Sequence, residues 1–365
     1  MVNFVKLYCA KIRIFSAFLP IAIAAFEIFY IDVFLRRVNM LYPLKFKPIL
    51  KERIWGGDRL KKVFRQNDVQ TEAPIGECWS LSAVEGNLSV VENGYLAGNT
   101  IEELVEIYMG DLVGDNVYKR FGVEFPLLIK LIDTSKFLSV QVHPDDEMAK
   151  ERHHAYGKSE FWYILNSNDG SQIITGFNKK FSREELIESV KDGSLKSHLK
   201  FVNVKPHDFI YIPSKSLHSL GEGVFLVEIQ QTSDVTYRVY DWNRVDDSGK
   251  SRELHLELAA NTIDFSAEAL PVESLSIHEN ASQELLSSPY FQINRLVVNQ
   301  RLERDFFEHD SFRVYICISG EAHLHSLNND PVLLKQGELV LVPASLSGVA
   351  IEPVGEVRIL EVLHP

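Results

Sequence analysis

The sequence predicts a mainly β protein made of two barrel units, with a small helical insertion in the first. Three observations carry this expectation. From Leu41 onward, short runs rich in Val, Ile, Phe and Tyr alternate with turn residues. Helix start signals are few and sharply placed. Finally, KPHDFIYIPSKSLHSL (205–220) and KQGELVLVPASLSGVA (335–350) share a turn, an apolar strand, a Pro, a Ser-Leu and a return strand. Such self-similarity suggests two copies of one plan.

Taken in order, the strand candidates of the first unit are Phe125–Ile132, Phe137–Val142, Phe161–Ile164, Gln172–Gly176, Phe209–Ile212 and Val224–Gln230. Helices interrupt them near 100–110, 145–156 and 182–200. Thr100 with Glu103 and Ser182 with Glu185 are capping boxes ahead of apolar residues. Pro144 with Asp145 and Asp146 opens the helix between them, which Gly157 could end. RELHLELAANTI (252–263) reads as a fourth helix. The tail returns to strands: QINRLVV, FRVYICI, EAHLHSL, ELVLVPA and VRILEVL, all after Tyr290. The units are expected to span 40–265 and 266–365, joined near Ala259–Pro271. At the position matching His218 the second copy has Gly348, within a residue or so, so chemistry present in the first unit is expected to be lost from the second.

Composition bounds the function. The 365 residues are 45% hydrophobic and 24% charged, ordinary for a globular chain. Disorder, collagen and coiled coil are excluded as whole-chain descriptions. A formal net charge of −12 argues against nucleic acid as partner, because phosphate-backbone affinity needs clustered Lys and Arg. A small phosphorylated substrate needs only two or three cations and stays open. Cys9, Cys78 and Cys317 form neither a CxxC pair nor a disulfide framework, which points to a reducing compartment, the cytoplasm.

Residues 1–39 differ from the rest. Lys6, Lys11 and Arg13 precede an apolar run from Ile14 to Leu35, closed by Arg36 and Arg37. A run of that length could cross a bilayer, but Glu27 and Asp32 inside it are costly there, at about 2.5–3.5 kcal/mol for an acid at helix centre. Three expectations follow: a start codon placed too early with Met40 the true first residue, an anchor or signal, or an extra packed helix. Membrane contact is expected only if this extension is real.

The densest polar cluster lies among apolar strands. Gln141 and His143 in LSVQVHP are two apart, so on a strand both face one side. Lys158 and Glu160 open the run KSEFWY, and His218 ends IPSKSLH. Two neutral imidazoles and a carboxylate suit Zn²⁺, Fe²⁺ or Mn²⁺, and three protein ligands with one open position is the catalytic pattern. A single strand-end histidine is more often structural; the triplet gains weight because each member ends a strand of one plan. His153, His154, His323 and His325 are given no role. The stretch from Gln230 to Trp242 mixes an amide, hydroxyls, Arg238 and aromatics; it fits either a polar loop with an Arg–Asp surface pair or a sugar-contacting wall.

These blocks, with KPILKERIWGG (47–57), IGECWSLS (75–82), FPLLIKLID (125–133), YGKSEFWYIL (156–165), VEIQQTSDVTYRVYDWNR (227–244) and SRELHLELA (251–259), resemble the type I mannose-6-phosphate isomerases of the short bacterial form. The resemblance covers about residues 41–365. It implies a two-cupin (jelly-roll-like) fold with a degenerate second cupin. It also implies one Zn²⁺ held by His143, Glu160 and His218, with Gln141 beside it as a possible fourth ligand. Arg238 becomes the catalytic arginine. Lys158 and Lys130 become the cations near the sugar phosphate and reacting carbons, and Glu228 an acid of the pocket. The implied reaction interconverts D-mannose 6-phosphate and D-fructose 6-phosphate through a cis-enediol(ate), in a monomer or small homo-oligomer. Two alternatives share the cluster: another metal-dependent cupin such as an Fe²⁺ dioxygenase, and a non-catalytic sugar-phosphate-binding cupin.

Overall fold

Strand dominates, at 40% of the described residues against 16% helix. The computed structural model describes residues 41–63, 72–245, 249–307 and 309–365. The expectations for residues 1–39 lie outside the described residues. Among the described residues no helix is long and apolar enough to cross a membrane.

The N-terminal half contributes β1 (Ile49–Gly57), β2 (Ile75–Leu81), β3 (Leu127–Asp133), β4 (Val140–Val142), β5 (Glu160–Ser167), β6 (Gln172–Phe177), β7 (Leu199–Asn203), β8 (Phe209–Ile212), β9 (Ser219–Leu220), β10 (Val224–Gln231) and β11 (Tyr237–Tyr240). A six-stranded sheet runs β1-β2-β3-β10-β5-β8, and a three-stranded sheet runs β7-β6-β9. They pack face to face through Trp162, Ile164, Ile173, Ile212, Leu220 and Leu226. Strands β3 and β10 are buried at every position, so apolar residues fill both faces and do not alternate with polar ones, apart from Lys130, Asp133, Glu228, Gln230 and Gln231. Strand β4 pairs with β11, and a lone bridge between Gln141 and His218 ties β4 to the β9 side.

The helices are α1 (Arg59–Val63), α2 (Ile101–Val113), α3 (Asp115–Phe121), α4 (Asp146–His153), α5 (Arg183–Lys191) and α6 (Leu256–Ala260). Both capping boxes form: Thr100 and Ser182 accept from the backbone N–H of Glu103 and Glu185, and each glutamate reaches back to its cap. Each such cap is worth about 1 kcal/mol. Three expected boundaries move. The helix expected over 182–200 stops at Lys191, and a separate 3₁₀ turn follows at Leu195–His198. Helix α4 ends at His153, because His154 takes the left-handed conformation (φ 53°) expected nearer Gly157. The helix expected over 252–263 is only Leu256–Ala260. Its first residues are diverted to β11, where His255 donates its N–H to the Arg238 carbonyl and its ring accepts from the Arg238 N–H. Helices α5 and α6 place Leu186, Ala259 and Ala260 against Val140, Val142, Tyr237 and Val239. That packing buries the valines of β4 outward and turns Gln141 to the opposite side.

The C-terminal half contributes β12 (Ser282–Ser287), β13 (Gln292–Val298), β14 (Leu302–Asp305), β15 (Arg313–Ser319), β16 (Glu321–His325), β17 (Val332–Lys335), β18 (Leu339–Val342), β19 (Gly348–Pro353) and β20 (Val357–Leu363). Sheets β12-β13-β20-β15-β18 and β14-β19-β16-β17 enclose a core of Leu296, Tyr315, Leu324, Val340, Ile351 and Ile359. Each aliphatic side chain buried this way contributes about 1.5–3 kcal/mol. The sheets are open, so the expected barrels take the form of sheet-on-sheet packing. Residues 43–365 form one compact unit. Leu44 exchanges backbone hydrogen bonds with Leu341 of β18, and the Asp310 carboxylate accepts from the first N–H groups of α3.

Candidate metal centre

Three strand ends converge. His143 follows β4, where Pro144 and the helix cap Asp145 end the strand; Asp145 accepts from the Met148 N–H. Glu160 is the first residue of β5, paired in register with Gln230 of β10 and Ile212 of β8. His218 precedes β9 and bridges Gln141. The three side chains are buried, and their ligand atoms all lie within 4.8 Å of one another. His143 Nε2 is 3.2 Å from Glu160 Oε1, and His218 Nε2 is 3.5 Å from Glu160 Oε2. Gln141 Nε2 lies 3.5 Å and 3.4 Å from the two Nε2 atoms.

Hydrogen bonding fixes the tautomers. His143 Nδ1 sits 2.8 Å from the Val235 carbonyl and His218 Nδ1 2.9 Å from the Ser216 carbonyl. A carbonyl only accepts, so each Nδ1 carries the proton and each Nε2 presents a lone pair inward. Neither oxygen of the buried Glu160 carboxylate has a hydrogen-bond donor. Burial, reinforced by the Lys158 ammonium, pushes His143 down to about 3, so it is neutral at pH 7. Burial alone would raise the Glu160 carboxyl, but with His143 neutral the adjacent Lys158 ammonium holds it well below the usual range. Two inward lone pairs and an orphaned carboxylate fit a divalent cation. Ligands about 2.1 Å from a tetrahedral ion lie about 3.4 Å apart, close to the separations seen here.

The remaining expected residues surround this cluster. Lys158 Nζ is 3.4 Å from Glu160 Oε1 and buried. Lys130 donates to Glu228 Oε1 at 2.8 Å and to Gln230 Oε1 at 2.5 Å. Burial works against the Lys130 charge, but Glu228, Glu77 and Glu160 outweigh it and keep the ammonium. Glu228 is filled on both oxygens, since Trp162 Nε1 donates to Oε2 at 2.8 Å. Trp162 stands edge-on to His218 with ring centroids 5.5 Å apart, so the Lys130–Glu228 pair reaches the cluster through it. Arg238 lies directly across from Gln141 in register, which puts it on the cluster's side of the sheet. It donates to the Glu253 carbonyl at 2.8 Å, and its buried Nε has no partner. Asp241 is held by Arg244 and Arg252 instead, so among the described residues the Arg238 guanidinium makes no direct ion pair.

One supporting group escaped the sequence. Asp146 Oδ1 accepts from Gly157 N–H at 2.9 Å and Gln231 Nε2 at 2.8 Å, while Gln231 Oε1 accepts from Ser159 N–H at 2.9 Å. This clamp fixes the backbone between Lys158 and Glu160. The available signal was Pro-Asp-Asp at a helix start, one carboxylate more than a cap requires.

Fold and site together define a packed β-sheet protein with a two-histidine, one-carboxylate metal-binding cluster at its strand ends. Residues 43–192 match the family described as phosphomannose isomerase type I, catalytic domain. The mannose-6-phosphate isomerase ManA of Bacillus subtilis is 36% identical, over 86% of this chain and 97% of its own. The mannose-6-phosphate isomerase of Streptococcus mutans is 34% identical, over 84% and 94%. The crystal structure of the Bacillus subtilis mannose 6-phosphate isomerase superposes with a TM-score of 0.76 at 32% identity, covering 88% of this chain and 99% of that one. The chain belongs to the type I phosphomannose isomerase family.

Proposed function

We propose that this protein is a mannose-6-phosphate isomerase interconverting D-mannose 6-phosphate and D-fructose 6-phosphate, with Zn²⁺ as its metal, acting in the cytoplasm. The single observation that carries the reading is the Glu160 carboxylate, buried without a donor between two inward-facing imidazole nitrogens. His143, Glu160 and His218 would hold the ion, with Gln141 as the fourth neighbour. When bound, the ion supplies Lewis-acid stabilisation of oxygen charge. Two cupin domains, over 40–265 and 266–365, are the architecture proposed for the packed sheets.

Isomerisation moves a proton from C2 to C1 through a cis-enediol(ate), and negative charge grows on the carbonyl oxygen. Arg238 suits that charge, since it stands opposite Gln141 in register and makes no direct ion pair among the described residues. Lys158, buried beside Glu160, adds a second fixed cation and strengthens attraction for the dianionic substrate. Lys130 and Glu228 would act as a buried pair that orients Trp162 and the pocket floor.

A coupled assay from mannose 6-phosphate to fructose 6-phosphate tests the reading. Activity is expected in the purified protein, lost in EDTA and restored by Zn²⁺. Turnover unaffected by complete metal removal would overturn it, and oxygen consumption would favour a metal-dependent oxygenase.

A further inference from the structure

The two large sheets correspond strand for strand, β2-β3-β10-β5-β8 with β12-β13-β20-β15-β18. In the first, Trp79, Lys130, Glu228, Trp162 and Ile210 form one row in register across the strands. In the second the row is Glu284, Asn294, Glu361, Tyr315 and Val340. Two residues before Trp162 stands Glu160, opposite Ile212; two residues before Tyr315 stands Arg313, opposite Val342. A guanidinium therefore occupies the place of the metal-binding carboxylate. Its carbon lies 4.0 Å over the Phe306 ring, where the first half brings an imidazole to Glu160.

A cavity of about 360 Å³ opens at this place, lined by both arginines of the second half's network, Arg304 and Arg313. Arg304 is spent on Glu361, bonding it at 2.7 Å and 3.2 Å. Arg313 is 4% exposed, yet among the described residues it has no carboxylate partner and makes one hydrogen bond, to the Ser311 carbonyl. A guanidinium has five N–H donors, and burying an unpaired charge is costly. The ring of Phe306 accounts for one face of the group and leaves its edge donors open. The mouth of the cavity carries Ser282, Glu284, Glu303 and Asp305, all exposed.

We infer that this cavity is a second ligand site, for a small hydroxylated carboxylate such as a six-carbon sugar acid. Arg313 takes the carboxylate in a two-pronged contact, and the mouth carboxylates accept from the ligand's hydroxyls. Those same mouth charges disfavour a phosphate dianion more than a singly charged carboxylate, which separates the site chemically from the one in the first half. The volume sits near the lower end of ligand pockets, about 300–1,000 Å³, which limits the occupant to one small molecule.

The test is calorimetric titration with gluconate, and separately with glycerol 3-phosphate, in the presence of saturating fructose 6-phosphate. The metal-loaded wild type is expected to bind gluconate saturably at one site and more tightly than glycerol 3-phosphate. Arg313→Met keeps the stem over Phe306 and should weaken gluconate at least tenfold, with isomerase turnover within twofold of wild type. Ser282→Phe obstructs the mouth from an exposed position and should weaken it as much, whether or not the arginine variant folds. Absence of saturable gluconate binding, unchanged affinity in both variants, or tighter glycerol 3-phosphate binding would each overturn the assignment.

Discussion

Glu160 and Glu361 are both fully buried carboxylates on the inner faces of corresponding sheets, and their surroundings are opposite. Glu361 accepts four hydrogen bonds: two from Arg304, one from Tyr315 at 2.8 Å and one from Asn294 at 2.9 Å. Glu160 accepts none. A buried carboxylate whose lone pairs are all taken by donors is a structural element, whereas one that has an ammonium nearby but no hydrogen-bond donor keeps its lone pairs open for a cation. The same strand plan thus serves stability in the C-terminal half and chemistry in the N-terminal half. The difference lies in whether neighbouring side chains supply donors.

The sharpest way to break this comparison is to remove each acid. Glu160→Gln should lower turnover at least a thousandfold, equivalent to about 4 kcal/mol, with metal content falling in parallel by elemental analysis. Added metal should raise the urea midpoint of the wild type, and Glu160→Gln should remove that gain. If the variant is still stabilised by added metal, Glu160 is not a ligand and the contrast fails.

Glu361→Leu should do the reverse. Losing a buried acceptor with four donors should cost about 3 kcal/mol of unfolding free energy, at the low end for a broken buried ion pair because Arg304 reaches solvent. A lowered urea midpoint with metal stoichiometry retained is the expected result. Arg238→Ala comes next, with kcat reduced at least about a hundredfold while metal stays bound, the effect of losing one charge partner of the transition state. Near-normal kcat would remove Arg238 from the chemistry.

The smallest effect sharpens the comparison through pH. Burial pushes His364 down to about 4, against an ordinary value near 6.5. Between those values the unfolded chain takes up a proton that the folded chain refuses, so stability is present above about 6.5 and falls as pH drops toward 4. The loss should reach about 2 kcal/mol. His364→Gln should show a shallower decline over that window by chemical denaturation. An identical slope would show that another group sets it.

Much of this was legible along the chain because the signals are local. Strands β8, β13 and β20 match the apolar runs read at those positions, or nearly so. Both capping boxes depend on residues three apart, and they form as read. Helix α6 was over-extended because amphipathic spacing cannot reveal that His255 is claimed by β11, a partner seventeen residues away. The strands β1, β2, β7, β11, β12, β14 and β17 were not among the expected ones, and pairing with neighbouring strands supplies what their own patterns do not announce.

By itself the sequence determined the β-rich class, the ligand types and the family, because periodicity, donor chemistry and ordered motifs are properties of the chain. Only tertiary structure decided which buried acids are satisfied. That outcome depends on donors such as Asn294, Arg304 and Tyr315, which reach Glu361 from other strands, 67, 57 and 46 residues away along the chain. It also decided that the counterpart of Glu160 is Arg313, since register across strands is set by pairing and no linear spacing encodes it.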